Sequence, residues 1–383
     1  MKELKKLVYF ISFPLGFIGF IFPIYATSVG ADIMEVGYLF SIFSIVSIVI
    51  RPMVGKLTDK RGRKLGIVIG SILYTLVNLF FIIANDFKYL LVARILQSMA
   101  SSFLWISVDT FISDISDKTN RGTNFGIINQ SSTKGGLLGS FIGFTVLYNN
   151  ISNNPFRLLF SIFLCASLIS LYFAFRKVPE TIHIKKNLEE GKLTDKKGLK
   201  YFLIIVGIIS LISNLTVPIY LLYLQENITN DIGMISTLFI PASILSTFLP
   251  KIFGKVSDKY GREKIIISGM FLNAFLQFLI PFNQSYYSFM ILYTLISLIG
   301  MFYSPAYSSV IMDFVGENKR GRSYGLYSFA TGIGATIGPV IGSYIYKNIG
   351  NHTTFFTKGS LMIVMVIIVC YIYLKNSNSG KTI

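Results

Sequence analysis

Two positively charged side chains, Arg94 and Lys134, lie inside long apolar stretches of the sequence. A charge near the middle of a bilayer costs about 3 kcal/mol or more unless it faces a cavity or a partner, so such residues are candidate functional sites. Lys134 lies about 17 Å into its stretch if the stretch is helical, which is too deep for its stem to reach water easily. It would anchor an anion or carry a proton; the alternative is a neutral lysine buried in packing.

Arg94 lies about 8 Å from one end of its stretch, so it either faces a cavity or snorkels to the membrane interface. Gln97 and Trp105 follow in the same stretch, and Gln130 lies on the side of its helix that carries Lys134. These five residues are the candidate substrate or proton site. Two cations there predict an electropositive cavity, which favours an anionic or neutral polar-aromatic substrate over an organic cation.

Other reactive arrangements are missing from the sequence. The apolar stretches contain no paired carboxylates, no histidine pair and no Ser/His/Asp set, and no Walker-type phosphate loop occurs. Cys165 and Cys370 lie in separate apolar stretches, and His183 and His352 are far apart. We therefore predict neither an enzyme nor a disulfide, and no metal ion or other cofactor.

The chain that positions these residues is too hydrophobic for a water-soluble domain, since 52% of its 383 residues are apolar, 14% are charged and the mean hydropathy is +0.62. A bilayer core of about 30 Å needs about 20 apolar residues per helix. We predict an all-α membrane protein with twelve transmembrane spans. The predicted spans are 7–29, 36–54, 65–84, 89–112, 123–147, 156–175, 201–223, 232–252, 265–282, 287–312, 322–346 and 355–374.

The net charge of +17 would suit a nucleic-acid partner if it were clustered on one surface. Instead, most of the 35 lysines and arginines lie in the loops that share one side of the membrane with the amino terminus. This positive-inside bias predicts a multi-pass protein of the cell (inner) membrane with both termini in the cytoplasm. The basic loops then lie against the anionic lipid bilayer, and we expect no nucleic-acid partner.

The second half of the chain repeats the first at a shift of 199 positions, which brings Gly254 onto Gly55 and Gly261 onto Gly62. The same shift pairs Asp32 with Asp231, Asp114 with Asp313, Arg121 with Arg320, and Gly135, Gly139 and Gly143 with Gly334, Gly338 and Gly342. We predict two pseudo-symmetric six-helix bundles, 1–175 and 201–383, joined by a polar cytoplasmic linker, 176–200. Parallel repeats of this kind place a substrate site at their interface.

Two loops carry the most specific motif: GKLTDKRGRK at 55–64 and its second copy GKVSDKYGRE at 254–263. Glycines let the chain turn tightly between two helix ends, and an aspartate there can face the positive amino end of a neighbouring helix. Both segments resemble the signature G-x-L-x-D-R-x-G-R-K between helices 2 and 3 of the major facilitator superfamily. The resemblance covers essentially the whole chain and implies a twelve-helix transporter that works by alternating access.

The resemblance also implies gating residues in both loops and at the end of span 4. They are Gly55, Asp59, Gly62, Arg63, Asp109, Asp114, Gly254, Asp258, Gly261 and Arg262. In the family, the first aspartate (here Asp59) contacts the beginning of helix 11 in the other half, and the loop arginine (here Arg63) pairs with an acid at the end of helix 4. That acid would be Asp109 or Asp114. The alternative is that these charges are solvated and only set the topology.

Two predicted spans carry glycines four residues apart. They are Gly135, Gly139 and Gly143 in span 5, and Gly334, Gly338 and Gly342, with Pro339, in span 11. We interpret them as packing surfaces through which helices of opposite halves approach closely. The span 5 pattern resembles the family's antiporter signature G-x-x-x-G-P-x-x-G-G, but Ser140 replaces the proline and Phe144 the last glycine. This departure weakens the case for antiport and export.

Among relatives, the length, the loop signature and the embedded Arg94 are most similar to drug and metabolite exporters with twelve helices. We expect a monomeric secondary transporter that exports a small molecule in exchange for protons. One alternative is an importer or facilitator of a small metabolite. A second, from a different class, is a non-transporting membrane sensor.

Overall fold

The computed structural model describes residues 1–116, 121–149, 151–181, 197–238, 240–315 and 320–378. These residues form helices joined by short turns, with no strand among them. The chain divides into two compact units, Met1–Glu189 and Glu190–Ile383. Within the helices, the side chains of Asp258 and Asp313 and the surroundings of Gly254 lie outside the described part.

A helix lies over each of the twelve predicted spans. In the first unit the helices are α1 Lys2–Ser28, α2 Ile33–Arg61, α3 Arg63–Ile83, α4 Phe87–Asp114, α5 Arg121–Tyr148 and α6 Pro155–Arg176. In the second unit they are α7 Lys197–Asn214, α8 Ile219–Asn227, α9 Ile232–Thr237, α10 Ile240–Tyr260, α11 Arg262–Leu279, α12 Tyr286–Val315, α13 Arg320–Asn348 and α14 Asn351–Asn378, with a 3₁₀ turn at Ile280–Phe282.

Span 7 is interrupted. Span 7 consists of α7, which ends at Asn214, and α8, for which Pro218 is the N-cap residue. Proline has no N–H to donate, so it suits a helix beginning and interrupts a helix that would continue. The first span of the other half is also not straight, since α1 bends by 71° between Lys2–Gly19 and Ile21–Ser28. The first spans of the two halves thus depart from a straight helix at equivalent repeat positions.

Eight of the described helical segments are long and apolar enough to cross a membrane, and nine if the bent α1 is one span. The described parts of α5, of α9 with α10, and of α13 do not meet this test. Helix α5 carries a run of polar residues around Gln130 and Lys134, and α13 is rich in glycine.

The buried faces of the two halves repeat at the predicted shift. On α6 the buried residues include Leu159, Phe163 and Ala166, and on α14 they include Lys358, Met362 and Met365. The same relation joins α3 and α11, where Tyr74 and Asn78 are buried in one half and Asn273 and Gln277 in the other. The duplication is therefore visible in the packing as well as in the motifs.

The repeated aspartates Asp32 and Asp231 are helix caps. Asp32 Oδ1 accepts from Glu35 N at 2.7 Å, and Asp32 N donates to Glu35 Oε2 at 2.9 Å, which forms a capping box at α2. Asp231 Oδ1 accepts from Gly233 N at 2.7 Å at the beginning of α9. Both acids satisfy amide groups that a helix beginning leaves unpaired.

The glycine stripes pack within each half, which corrects the prediction that they join opposite halves. A Cβ atom on Gly135 or Gly139 would meet the carbonyl groups of Tyr9 or Phe13 on α1. On α13, Gly334, Gly338 and Gly342 lie in the same way against backbone atoms of α7 and the turn after it, and Pro339 is buried beside them. Helical spacing identified the contacting face correctly, but it could not identify the neighbouring helix.

Candidate functional site

Arg63 is the centre of a buried polar cluster at the junction of α2 and α3. Gly62 has φ 104°, a conformation that a glycine adopts without strain, and it lets α3 begin directly after α2. Arg63 is only 2% exposed, and its Nε donates to Asp114 Oδ2 at 2.7 Å. Its Nη1 donates to the carbonyl oxygen of Thr58 at 2.8 Å. The predicted pairing of Arg63 with an acid at the end of α4 is confirmed, and the acid is Asp114 rather than the exposed Asp109.

Asp59 lies at the edge of this cluster. Its Oδ1 is 3.4 Å from Arg63 Nη1, and the side chain is 54% exposed. Neighbouring Gly55 is partly buried on α2. The contact expected between Asp59 and the beginning of span 11 stays a prediction, because the side chains of residues 320–325 lie outside the described part.

Glu180 is a member of the cluster that the motif did not reveal. Its Oε1 accepts from Arg63 N at 2.9 Å, and its Oε2 accepts from Lys64 N at 3.1 Å. The next residue, Thr181, donates its hydroxyl to Asp114 Oδ2 at 3.0 Å. Glu180 thus caps the amino end of α3 from the segment that follows α6, where a carboxylate opposes the positive end of the helix. We call Arg63, Asp114, Glu180 and Thr181 the Arg63 cluster.

The second copy of the loop keeps the backbone turn but lacks one of these side chains. Gly261 has φ 94°, and α11 begins at the next residue, Arg262, which is partly buried. The repeat shift places Ser379 opposite Glu180, and no acidic residue follows Glu317 in the sequence. Gly254 and Asp258 fall on α10 at positions whose surroundings lie outside the described part.

Arg94 is enclosed by protein. It is 6% exposed, and its guanidinium carbon lies 4.5 Å, 5.0 Å and 4.7 Å from the ring centres of Phe22, Phe40 and Phe43. Its Nε donates to the carbonyl oxygen of Leu39 at 3.0 Å, and its Nη1 donates to Gln97 Oε1 at 2.6 Å. Three aromatic faces and two oxygens stabilise a cation inside the bundle. In this conformation Arg94 does not snorkel.

Helix α5 divides into a packing face and an open face, as its sequence predicts. Gly135 is buried against α1, whereas Lys134 and Gln130 are exposed. The alternative of a lysine buried in packing is therefore wrong. Trp105 lies elsewhere, partly buried against a core cluster that includes Tyr74 of α3 and Val108 of α4. The structure thus joins Arg94 with Gln97, places Lys134 with Gln130 on one face, and assigns Trp105 to packing.

Besides Arg63 and Arg94, a further basic residue is buried, Lys358 of α14, which received no role from the sequence. It is 7% exposed, and its Nζ donates to Thr216 Oγ1 at 2.7 Å in the turn between α7 and α8. Its position inside the apolar stretch of span 12 was the signal that could have identified it. Among the described residues, no group of three or more His, Cys, Asp or Glu side chains could hold a metal ion.

Comparisons with known proteins agree with this architecture. The profile of the Major Facilitator Superfamily matches residues 7–205 and 202–382. An uncharacterised MFS-type transporter of Methanocaldococcus jannaschii is 27% identical over 341 residues, 88% of each chain. The quinolone resistance protein NorA of Staphylococcus aureus is 25% identical over 344 residues, also 88% of each chain. A crystal structure of a mutant of the peptide transporter POT with sulfate has a TM-score of 0.77, covers 97% of this chain and 94% of its own, and shares the fold at 14% identity.

Proposed function

The chain belongs to the major facilitator superfamily, and from this membership we propose that it exports small organic solutes in exchange for protons by alternating access. It is a multi-pass membrane transporter and not an enzyme. The observation that carries the direction is the similarity over 88% of each chain to a quinolone resistance protein. We further propose that it acts as a monomer in the cell membrane with both termini at the cytoplasmic face, as the positive-inside bias favours.

We infer the substrate class from Lys134 in the first half. Lys134 and Gln130 are exposed on one face of α5, and no carboxylate lies within 4.0 Å of Lys134 among the described residues. An unpaired ammonium at this depth attracts a carboxylate or an electron-rich aromatic group. We propose that Lys134 anchors an anionic or neutral polar-aromatic substrate and that Arg94 with Gln97 holds the adjoining helices in place.

Everted membrane vesicles test both the direction and the role of Lys134. With their interior acidified, the wild type should accumulate norfloxacin, a fluoroquinolone that carries a carboxylate. Lys134→Gln should lower the initial rate about tenfold, as the loss of one charged contact would, and Lys134→Arg should retain most of it. Lys88→Gln, at an exposed lysine that begins α4, is the control. Full activity of Lys134→Gln, or competition by organic cations alone, would contradict the proposal.

An importer or facilitator of a small metabolite is the second candidate. It is favoured by Ser140 and Phe144, which stand where the antiporter signature has proline and glycine. Uptake by right-side-out vesicles, with none by everted vesicles, would support it. Proton-independent flux would indicate a facilitator, and no flux in either orientation for a panel of quinolones, sugars and amino acids would favour the sensor alternative.

A further inference from the structure

A buried polar cluster surrounds Lys358 in the second half. Lys358 Nζ lies 2.7 Å from Thr216 Oγ1 and 5.3 Å from the centre of the Tyr220 ring. The Tyr220 hydroxyl donates to Gln277 Oε1 at 2.6 Å, and Gln277 Nε2 donates to Asn273 Oδ1 at 3.3 Å. We call these five residues the Lys358 cluster. They come from α14, α11, α8 and the turn that precedes α8.

In the first half, the positions equivalent to three of these residues are apolar. The repeat shift of 199 places Phe17, Ile21 and Leu159 opposite Thr216, Tyr220 and Lys358. All three apolar residues are fully buried. An apolar core is therefore sufficient for packing at this point of the fold, and the polar residues of the second half must have another use.

The hydrogen bonds around Lys358 suit an amine that gains and loses a proton. An ammonium has three N–H donors, and Thr216 Oγ1 is the one oxygen that accepts from it among the described residues. No carboxylate lies within 4.0 Å of Lys358 in that part of the chain. Thr354, one helical turn earlier on α14, has a buried hydroxyl with no hydrogen-bond partner among the described residues. Among the described residues, the site is thus polar but offers too few hydrogen-bond acceptors for a permanently charged ammonium.

We propose that Lys358 is a proton-binding site of this transporter, an assignment that rests on the proton coupling proposed above. As a neutral amine, Nζ accepts one proton from water on one side of the membrane, and as an ammonium it releases that proton to water on the other side. No other bond forms or breaks. The uncompensated charge of the ammonium favours a conformation in which the turn at 215–218 opens and supplies further oxygen acceptors.

The position of Thr216 links the protonation of Lys358 directly to the backbone of span 7. Thr216 lies in the interruption between α7 and α8, where Pro218 provides no N–H for the helical bond to the carbonyl of Asn214. That carbonyl oxygen accepts instead from Val217 N, at 3.4 Å. Lys358 therefore contacts the part of span 7 in which the backbone hydrogen bonds are already irregular, and interrupted helices of this kind contribute ion sites in other transporters.

Few other titratable groups are in contact with the cluster. Among the described residues they are Tyr293 and Tyr303 of α12, which interact with Tyr220. Beyond them, Tyr223 of α8 contacts His352 of α14, and Glu226 of α8 accepts from the Tyr346 hydroxyl at 2.6 Å. The titratable residues of α7 and α11 lie near the amino ends of those helices, about 20 Å along them from Asn214 and Gln277. The test therefore includes a His352 variant, which separates this side chain from Lys358.

Hydrogen–deuterium exchange on the full chain in lipid nanodiscs tests the assignment without a substrate. Amides of residues 211–222, corrected for the intrinsic pH dependence of exchange, should exchange faster as pH falls, by up to about tenfold per pH unit through the titration. The equivalent segment 12–23 is the internal control. Lys358→Met should make residues 211–222 slow at every pH, and Lys358→Arg, which cannot lose its proton, should make them fast at every pH. His352→Gln and Lys264→Met should retain the wild-type profile.

Each result of these experiments either supports or contradicts the assignment of Lys358 as a proton-binding site. Three results would overturn the proposal. They are exchange of residues 211–222 that does not depend on pH in the wild type, a pH dependence that persists in Lys358→Met, and a pH dependence that is lost in His352→Gln. In proteoliposomes, Lys358→Met should lose norfloxacin transport driven by a pH gradient while keeping exchange of labelled for unlabelled norfloxacin. If the wild type moves no norfloxacin in either assay, the proposed export of quinolones fails, whereas the exchange experiment still decides whether Lys358 binds a proton.

Discussion

The two halves of this chain share one backbone plan and differ in the side chains placed on it. Gly62 and Gly261 both have positive φ and both end a helix immediately before an arginine that begins the next. In the first half, however, Glu180 accepts from two amides at the beginning of α3, and the second half has no acid after Glu317 that could do so. The first-half loop is therefore tied to the segment after α6 by a carboxylate for which the second half has no equivalent residue.

In the cores it is the second half that carries the additional polar side chains. The first half has apolar side chains at positions where the second half has Thr216, Tyr220 and Lys358. Since the repeat shows that both solutions fit the same fold, the departures from symmetry mark specialised positions. We infer that Glu180 holds the first-half loop and that the second half has the more polar core.

The largest expected effect comes from Arg63→Met. Removing the buried guanidinium leaves Asp114 without its cation, and breaking one partner of a buried ion pair costs about 3 kcal/mol or more. Arg262→Met, at the partly buried equivalent position, should cost less than half as much. Thermal unfolding of both variants in detergent measures the difference. Equal losses of stability would show that the two loops are held equally.

Gly62→Ala and Gly261→Ala form a matched pair of smaller changes. Both force a Cβ into a positive-φ conformation, which costs about 1 kcal/mol. At Gly62 the new Cβ would also collide with the Glu180 carboxylate, whereas at Gly261 nothing described lies within 4 Å. We expect a loss of about 2 kcal/mol for Gly62→Ala, because the cap of α3 is displaced as well, and about 1 kcal/mol for Gly261→Ala. The same unfolding assay checks this, and a larger effect at Gly261 would contradict the comparison.

Asp59→Asn should alter transport rather than folding. The side chain is half exposed and its contact with Arg63 is long, at 3.4 Å, so its removal should change stability by less than about 0.5 kcal/mol. If Asp59 stabilises one conformation of the transporter by contacting the beginning of span 11, its loss should lower the transport rate about tenfold. This is the scale of a typical conformational coupling. The initial rate per correctly inserted molecule is the measurement, and Asp258→Asn is the repeat-equivalent control. Wild-type rates for Asp59→Asn would leave only the topological role.

Much of this fold could be predicted from the sequence because the apolar spans and the duplicated loops are local patterns. The pairing of Arg63 with Asp114 followed from the motif, and the open face of α5 followed from helical spacing. Glu180 was missed because its contact joins residues 117 positions apart, and nothing local marks it. Lys358 was missed because a single lysine among apolar neighbours shows its burial only when α8 and α11 are placed around it.

For Glu180→Gln we expect a smaller loss of stability than for Arg63→Met or Gly62→Ala. A carboxylate accepts from both Arg63 N and Lys64 N, but an amide has one oxygen, so one of these N–H groups would face an NH₂ group. The loss of the charge at the beginning of α3 adds about 0.3–1 kcal/mol, and we expect a total of about 1 kcal/mol. Deuterium exchange at Arg63 and Lys64 should then be about fivefold faster. Glu3→Gln is the control, because among the described residues the Glu3 side chain makes one long contact, of 3.4 Å, with exposed Lys6. If Glu180→Gln and Glu3→Gln have the same exchange at these two amides, Glu180 does not hold the first-half loop, and the two loops differ in sequence without differing in stability.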